Sequence, residues 1–300
     1  MNFPATDTLK LDFSQGVLRV VLSRPKVRNA MSLQMVKELI AVFEAIDERN
    51  ASAILTAETV RVVVISGEGQ HFCAGADISD MAGARQRSSA GNASSHAVEG
   101  LQQTSSQQIA SDPFAALNRA FGTMLMTIDQ APCAVVVALD GAVLGGGFGL
   151  ACVSDHAIAA PDTRFGLPET SLGILPAQIA PFVVRRIGLT QARSLALLGR
   201  RFGADEALRL GVIHDTVDSA EALEGRVEAV IAEIRRCAPR ASRETKALLH
   251  RVDPPSREPL HDILDAAALG FSAAVRGDEG AEGTMAFMEK RKPRWEGDQQ

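Results

Sequence analysis

The stretch AVVVALDGAVLGGGFGL, residues 134–150, decides the fold. Its first six residues, Ala134–Leu139, form an unbroken apolar run rich in valine. A run that short and that β-branched reads as a strand buried on both faces. Asp140 and Gly141 end it, and Gly145–Gly147 then open an apolar helix. Strand, glycine turn and helix recur on either side. Upstream, Arg61–Ser66 (RVVVIS) is a second short buried strand, and Val17–Leu22 has a half-buried strand pattern. Between these two, Ser32 is placed to cap a helix reaching about Arg49, with Leu33, Val36, Leu39, Ile40, Phe43 and Ile46 on one face. Downstream, His156–Ala160 returns as a strand. Strands separated by helices predict parallel pairing and an α/β layer structure.

The remainder is less regular. Residues 83–112 are rich in Ser, Gln, Ala and Gly, with little apolar content until Phe114, and read as a mobile loop or insertion. After about residue 190 the pattern is helical. Thr190 caps one segment, Asp205–Leu210 makes a short one, and 219–237, 240–250, 257–275 and 278–289 read as further helices. The division expected is an α/β core over 1–204 and a helical C-terminal region over 205–300.

Composition narrows the function classes. The 300 residues are 46% hydrophobic and 22% charged, enough apolar content for a real core. A net charge of -5 gives no electrostatic support for nucleic-acid binding. No apolar run approaches the roughly 20 residues that span a bilayer, and the opening MNFPATDTLKLDF lacks the basic and apolar regions of a secretory signal. Neither nucleic acid nor membrane is expected as a partner. The four cysteines form no close pairs and the six histidines are scattered, so no metal site is expected. Reduced, buried cysteines fit a cytoplasmic protein.

Three segments carry chemistry. Two glycine-containing turns follow strands: HFCAGADI, residues 71–78, and GAVLGGGFGL, residues 141–150. Each fits a tight turn in which glycine supplies positive φ. Each also fits an arrangement in which two backbone N–H groups face one oxygen, helped by the positive end of a helix, as an enolate or tetrahedral oxyanion requires. A dinucleotide-binding turn fits the second segment poorly, because the third glycine is misplaced and no acidic residue stands at the right distance. A Walker loop is excluded by the absence of Gly-Lys-Ser/Thr. The third segment is FGLPET, residues 165–170, in which Glu169 is flanked by Ile158–Ala160, Phe165, Leu167 and Leu172–Ile174. A carboxylate in that setting is desolvated and its pKa rises, as a general acid/base needs.

These segments, with LSRPKVRNAM at 22–31 and MAFMEKRK at 285–292, stand in the order found in the crotonase (enoyl-CoA hydratase/isomerase) family, which the chain resembles along nearly its whole length. The resemblance implies a crotonase-like ββα spiral core with a C-terminal helical trimerisation region. It implies a homo-oligomer, trimer or hexamer, acting on an acyl-CoA substrate, with no permanently bound cofactor and coenzyme A entering as the thioester. Carried over by position, the N–H groups of Ala76 and Gly146 form an oxyanion hole and Glu169 is the catalytic glutamate. Lys26, Val27, Arg28, Ala74, Ala76, Asp77 and Ile78 line the coenzyme A path, and Phe287 and Lys290 close over it, often from a neighbouring subunit.

Two departures refine the expectation. Hydratases with two glutamates carry one of them two residues after the glycine triplet, where this chain has Gly149. In place of a glycine-rich segment after the later glutamate, the chain has Pro176–Val184 (PAQIAPFVV). Together these resemble the branch that hydrates 3-substituted glutaconyl-CoA esters, of the methylglutaconyl- or isohexenylglutaconyl-CoA kind, the latter used in acyclic terpene breakdown. Loss of the first glutamate would leave room, and relieve charge repulsion, for a substrate carboxylate beside Gly149, Leu172 and Gln178, with Gln178 as its hydrogen-bond partner or as a residue that merely caps or packs. Enoyl-CoA isomerases also keep only the later glutamate, so double-bond isomerisation is the alternative, with a non-catalytic acyl-CoA-binding member as the third.

Overall fold

The computed structural model describes residues 3–50, 59–77, 79–80, 105–252 and 260–293. Strands β1 (Leu9–Ser14) and β2 (Val17–Leu22) form an antiparallel hairpin whose two turn residues, Gln15 and Gly16, both have positive φ, as a tight hairpin turn requires. Helix α1 (Leu33–Asn50) follows, its first turn capped by Ser32, whose Oγ accepts from Met35 N–H at 3.2 Å. Strand β3 (Val62–Gly67) then lies parallel to β2, and β4 (Ala134–Leu139) parallel to β3. Strands β6 (His156–Ala159) and β9 (Asp215–Thr216) complete a six-stranded sheet in the order β1-β2-β3-β4-β6-β9. A second sheet of three short strands, β5 (Ala142–Leu144), β7 (Arg164–Gly166) and β8 (Arg201–Phe202), sits beside its C-terminal end.

The unbroken valine runs have a direct physical cause. Alternate residues of each strand point to opposite faces, and both faces are covered. Leu18, Val20, Val63, Ile65, Val135 and Val137 enter the main core with Val36, Leu39 and Phe43 of α1. Val62, Val64, Val136, Ala138 and Ile158 meet Val227, Val230 and Ile231 of a helix on the other face.

Helix α2 (Ser105–Ser111) lies within the segment expected to be a loop, and residues 83–104 of that segment lie outside the described residues. Helix α3 (Pro113–Asp129), not anticipated from sequence, is capped by Asp112, whose carboxylate accepts from Phe114 N–H at 2.9 Å and Ala115 N–H at 3.1 Å. Helix α4 (Gly146–Val153) is buried throughout. Helix α5 (Ala180–Leu198) breaks at Gly188 (φ 75°, ψ 158°), two residues before the expected cap at Thr190. Then come α6 (Ala204–Leu210), α7 (Ala222–Arg236), α8 (Pro239–Val252), α9 (Leu260–Arg276) and α10 (Asp278–Met288). β9 and α7 lie beyond the division expected at 204/205 and still belong to the main sheet and its cover, so the α/β layer crosses that division.

Helix α9 packs on α3 through a buried ion pair, Arg119 Nε to Asp265 Oδ1 at 2.6 Å. Helix α8 leaves Leu248 and Leu249 exposed, and the end of α10 leaves Phe287 and Met288 exposed. Cys73, Cys133 and Cys152 are buried as expected, whereas Cys237, just past α7, is exposed. No described helix is long and apolar enough to cross a membrane.

Candidate active site

The two glycine turns meet beside β5. Residue 73 pairs with Val143, with Cys73 N–H donating to Ala142 O at 2.8 Å and Leu144 N–H to Cys73 O at 3.0 Å. The backbones then come so close that a Cβ on Gly145 would stand 3.5 Å from Gly75 Cα, and one on Gly147 only 2.7 Å from Cys73 Cβ. Gly145 has φ 49° and ψ -114°, a conformation open in practice to glycine alone.

On the other side, Met31 pairs with Ala76: Met31 N–H donates to Gly75 O at 2.8 Å, and Asp77 N–H to Met31 O at 3.0 Å. In a parallel bridge the two bonds use the residues either side of Ala76, so the N–H of Ala76 itself faces away from Met31. Gly146 opens α4, where the first N–H groups have no intrahelical acceptor. Neither the Ala76 nor the Gly146 N–H donates to an acceptor among the described residues.

Glu169 reaches the same place from β7. That strand runs parallel to β5 with Gly166 opposite Leu144, and Gly145 N–H donates to Gly166 O at 3.2 Å. Pro168 then starts a 3₁₀ turn, Glu169–Leu172. The Glu169 carboxyl lies against the glycine turn: a Cβ on Gly145 would stand 3.0 Å from Oε1. Its side chain is 9% exposed, and Oε2 is buried with no hydrogen-bond partner. Burial pushes its pKa from 4.5 to about 7. The walls are apolar, with Met31 Sδ and Phe121 Cε1 each 3.4 Å from where a Gly146 Cβ would be.

The position of the missing second glutamate is not vacant. A Cβ on Gly149 would lie 3.1 Å from Leu125 Cδ1 and 3.5 Å from Ile179 Cγ1, so those two side chains occupy the room expected there. Gln178 is 1% exposed and donates from Nε2 to Leu264 O of α9 at 2.8 Å, while Oε1 is buried against Gly122 without a partner. Its amide donor is engaged in tying the 176–180 segment to α9, which is the packing alternative rather than the carboxylate contact. Leu172 packs partly buried against the core at the end of the Glu169 turn.

Lys26, Val27 and Arg28 form an exposed rim on the short 3₁₀ turn Pro25–Val27. Arg28 and Asn29 have positive φ, and Ala74 N–H donates to Arg28 O at 3.0 Å, bringing this rim to Ala74, Ala76 and Asp77. Ile78 lies outside the described residues. Asn29, which sequence reasoning passed over, is fully buried and is the linchpin: Oδ1 accepts from Arg24 N–H, and Nδ2 donates to Glu68 O and His71 O. Asp77 pairs with Arg24 at 2.8 Å and accepts from Ser79. Burial raises its pKa, but the bonds from Ser79 and Arg24 outweigh that and hold it below the usual value, which leaves Asp77 ionised and structural. Phe287 and Lys290 are exposed at the end of α10, and no hydrogen bond joins them to this rim within one chain among the described residues.

Comparison with known proteins shows the family. The enoyl-CoA hydratase/isomerase family profile matches residues 12–111 and 98–299, and the chain belongs to that family. The solved structure of AtuE from Pseudomonas aeruginosa is 52% identical, with 96% of this chain and 99% of that one covered and a TM-score of 0.71. Mevalonyl-coenzyme A hydratase SIDH of Beauveria bassiana is 30% identical over 97% of this chain and 96% of its own length. A peroxisomal Δ(3,5)-Δ(2,4)-dienoyl-CoA isomerase of Arabidopsis thaliana is 28% identical over 98% of each.

Proposed function

We propose that the protein adds water to an α,β-unsaturated acyl-CoA, with Glu169 as the acid/base and the Ala76 and Gly146 N–H groups as the oxyanion hole. The observation that carries this reading is the buried, unpartnered Oε2 of Glu169 beside two unpaired backbone donors. The Glu169 carboxylate takes a proton from water as the hydroxyl oxygen bonds to C3. The electron pair of the double bond moves to C2 and onto the thioester oxygen, held by the two N–H groups. The proton then passes from Glu169 to C2, and the thioester carbonyl re-forms. Such donors act where charge develops in the transition state.

Double-bond isomerisation is the second reading, favoured by the apolar closure of position 149 by Leu125 and Ile179, which leaves no second carboxylate to orient a water. It would use Glu169 to remove a proton at one carbon and return it at another. Mass spectrometry of the products separates the two: hydration adds about 18 mass units by the stoichiometry of one water, and isomerisation adds nothing. In either case Glu169→Gln should lower turnover by roughly 10²- to 10⁴-fold. Turnover within a few-fold of wild type would refute the role of Glu169.

The substrate class proposed is a 3-substituted glutaconyl-CoA; it rests on the sequence resemblance carried by Gly149 and the Pro176–Val184 segment alone, since Leu125 and Ile179 fill the room at Gly149 and Gln178 is turned to α9. A kcat/KM for a branched glutaconyl-CoA at least roughly 10²-fold above that for crotonyl-CoA is expected if one charged group is recognised. Equal use of crotonyl-CoA would remove that substrate class and leave the reaction type intact. The rim of Lys26–Arg28 and Ala74–Asp77 serves the coenzyme A moiety, completed by Phe287 and Lys290 of a neighbouring subunit. That arrangement makes the working form a trimer or hexamer, and the exposed Leu248 and Leu249 of α8 give it apolar surface to bury. Sedimentation showing only a monomer at micromolar concentration would contradict it.

A further inference from the structure

The turn that carries Glu169 is gripped from both sides by contacts remote from the reacting atoms. On one side Thr170 Oγ1 donates to Ala196 O of α5 at 2.7 Å. Just beyond, Gly199 at the end of α5 (φ 55°) packs against the turn at ordinary contact distance, a Cβ placed on it standing 3.5 Å from both Thr170 Oγ1 and Ser171 Cβ. On the other side Gly173 (φ 70°) ends the turn, and its N–H donates back to Thr170 O. A Cβ on Gly173 would stand 2.5 Å from Glu279 O and 2.9 Å from Gly280 N, in the first turn of α10. Gly280 is itself pressed on α9, since a Cβ there would lie 2.2 Å from Ala274 O. Further along, buried Glu282 of α10 pairs at 2.7 Å with Arg291, just past the end of the same helix. Two bare backbones therefore meet between the Glu169 turn and a helix from the far end of the chain, and neither can move towards the other.

We propose that Thr170 and Gly173 are positioning residues which, by locking the turn between α5 and the start of α10, keep the Glu169 carboxyl closed against Gly145 and away from water. This rests on Glu169 being the acid/base. Loosening either side opens a path for solvent to the carboxyl. Its proton affinity then returns towards that of a hydrated carboxylate, because burial is the largest cause of its raised pKa. A carboxyl displaced by even about an ångström also loses reaction rate, by up to roughly 10²-fold. Binding of coenzyme A, which uses other residues, is untouched.

The test measures the pH profile of kcat/KM, the KM for an enoyl-CoA and the thermal midpoint for wild type, Gly173→Ala, Thr170→Val and Glu169→Gln. Gly173→Ala must push the turn off Glu279. Thr170→Val keeps shape and removes only the hydrogen bond to Ala196 O. For either variant the expected result is kcat lowered about tenfold or more, KM within about twofold, and the acidic limb of the profile moved about one pH unit down. A merely structural role would lower the thermal midpoint and leave the limb of the folded fraction where it was. If Gly173→Ala does not fold, Thr170→Val decides. An unmoved limb in every variant that folds, with Glu169→Gln inactive, overturns the proposal. An active Glu169→Gln instead overturns the acid/base reading on which it depends.

Discussion

Replacing Glu169 by glutamine should make the protein inactive and, at neutral to alkaline pH, more stable. In the folded chain burial raises the carboxyl pKa to about 7, against 4.5 for an open carboxyl. Each pH unit of difference corresponds to about 1.4 kcal/mol, so holding the ionised group in the fold costs on the order of 3 kcal/mol. Below pH 4.5 the proton is bound in both folded and unfolded chains, and this cost is absent. Between 4.5 and 7 the unfolded chain releases the proton while the folded chain keeps it, so stability falls as pH rises. Above 7 the full cost applies. Glutamine has nearly the same shape and never ionises. The thermal midpoints of wild type and Glu169→Gln should therefore differ little at pH 4.5 and separate by several degrees, variant above wild type, at pH 8. Scanning calorimetry across that range is the assay. A difference that does not change with pH, or a variant less stable at pH 8, would show that the carboxyl does not carry this burden of burial.

Three further outcomes follow from the same geometry. Gly146→Pro removes one of the two donors proposed to hold the thioester oxygen and should cost roughly 10²- to 10³-fold in kcat; circular dichroism and size must first show the variant folded. Gly149→Glu should not create a second acid/base: Leu125 and Ile179 resist it, and a loss of about 1–3 kcal/mol in chemical denaturation with no gain in turnover is expected. Gln178→Met should lower stability by about 1 kcal/mol through loss of the bond to Leu264 O, while the preference for a glutaconyl over a crotonyl ester stays the same. A collapse of that preference would return Gln178 to the substrate.

The parts of this structure visible in the sequence are those governed by local or periodic physics. The runs at 62–67 and 134–139 announce strands because both of their faces are buried, and Ser32 announces α1 because a hydroxyl before an amphipathic stretch caps it. Helix α3 carries an equally good signal, Asp112 followed by Pro113 at the first helical position, but it directly follows a polar Ser- and Gln-rich stretch whose composition is that of a loop. Strands β5, β7, β8 and β9 are two or three residues long and exist only by pairing with distant segments, so no local pattern could reveal them. At the site, Glu169 and the two glycine turns could be named from the sequence. That Leu125 and Ile179 fill the space at Gly149, and that Gln178 faces α9, depends on how α3 and α9 pack, which residue order does not disclose. Asn29 was hidden for a simpler reason. An asparagine in a turn usually serves its own neighbours, whereas this one bonds across 42 residues to His71.

The uneven burial of the thiols has a practical consequence for labelling. Burial drives the pKa of Cys73 to about 11 and those of Cys133 and Cys152 to about 12, so in the native protein these three carry almost no thiolate to react with an electrophile. Only Cys237 is both open to solvent and free. Towards a maleimide dye the folded chain should behave as though it held a single cysteine. A fluorophore could thus be attached at the end of α7 with no engineering of the other three, and it would stand clear of the glycine turns around Glu169. The remaining sulfurs would become available only on unfolding, so the stoichiometry of alkylation is itself a count of native molecules.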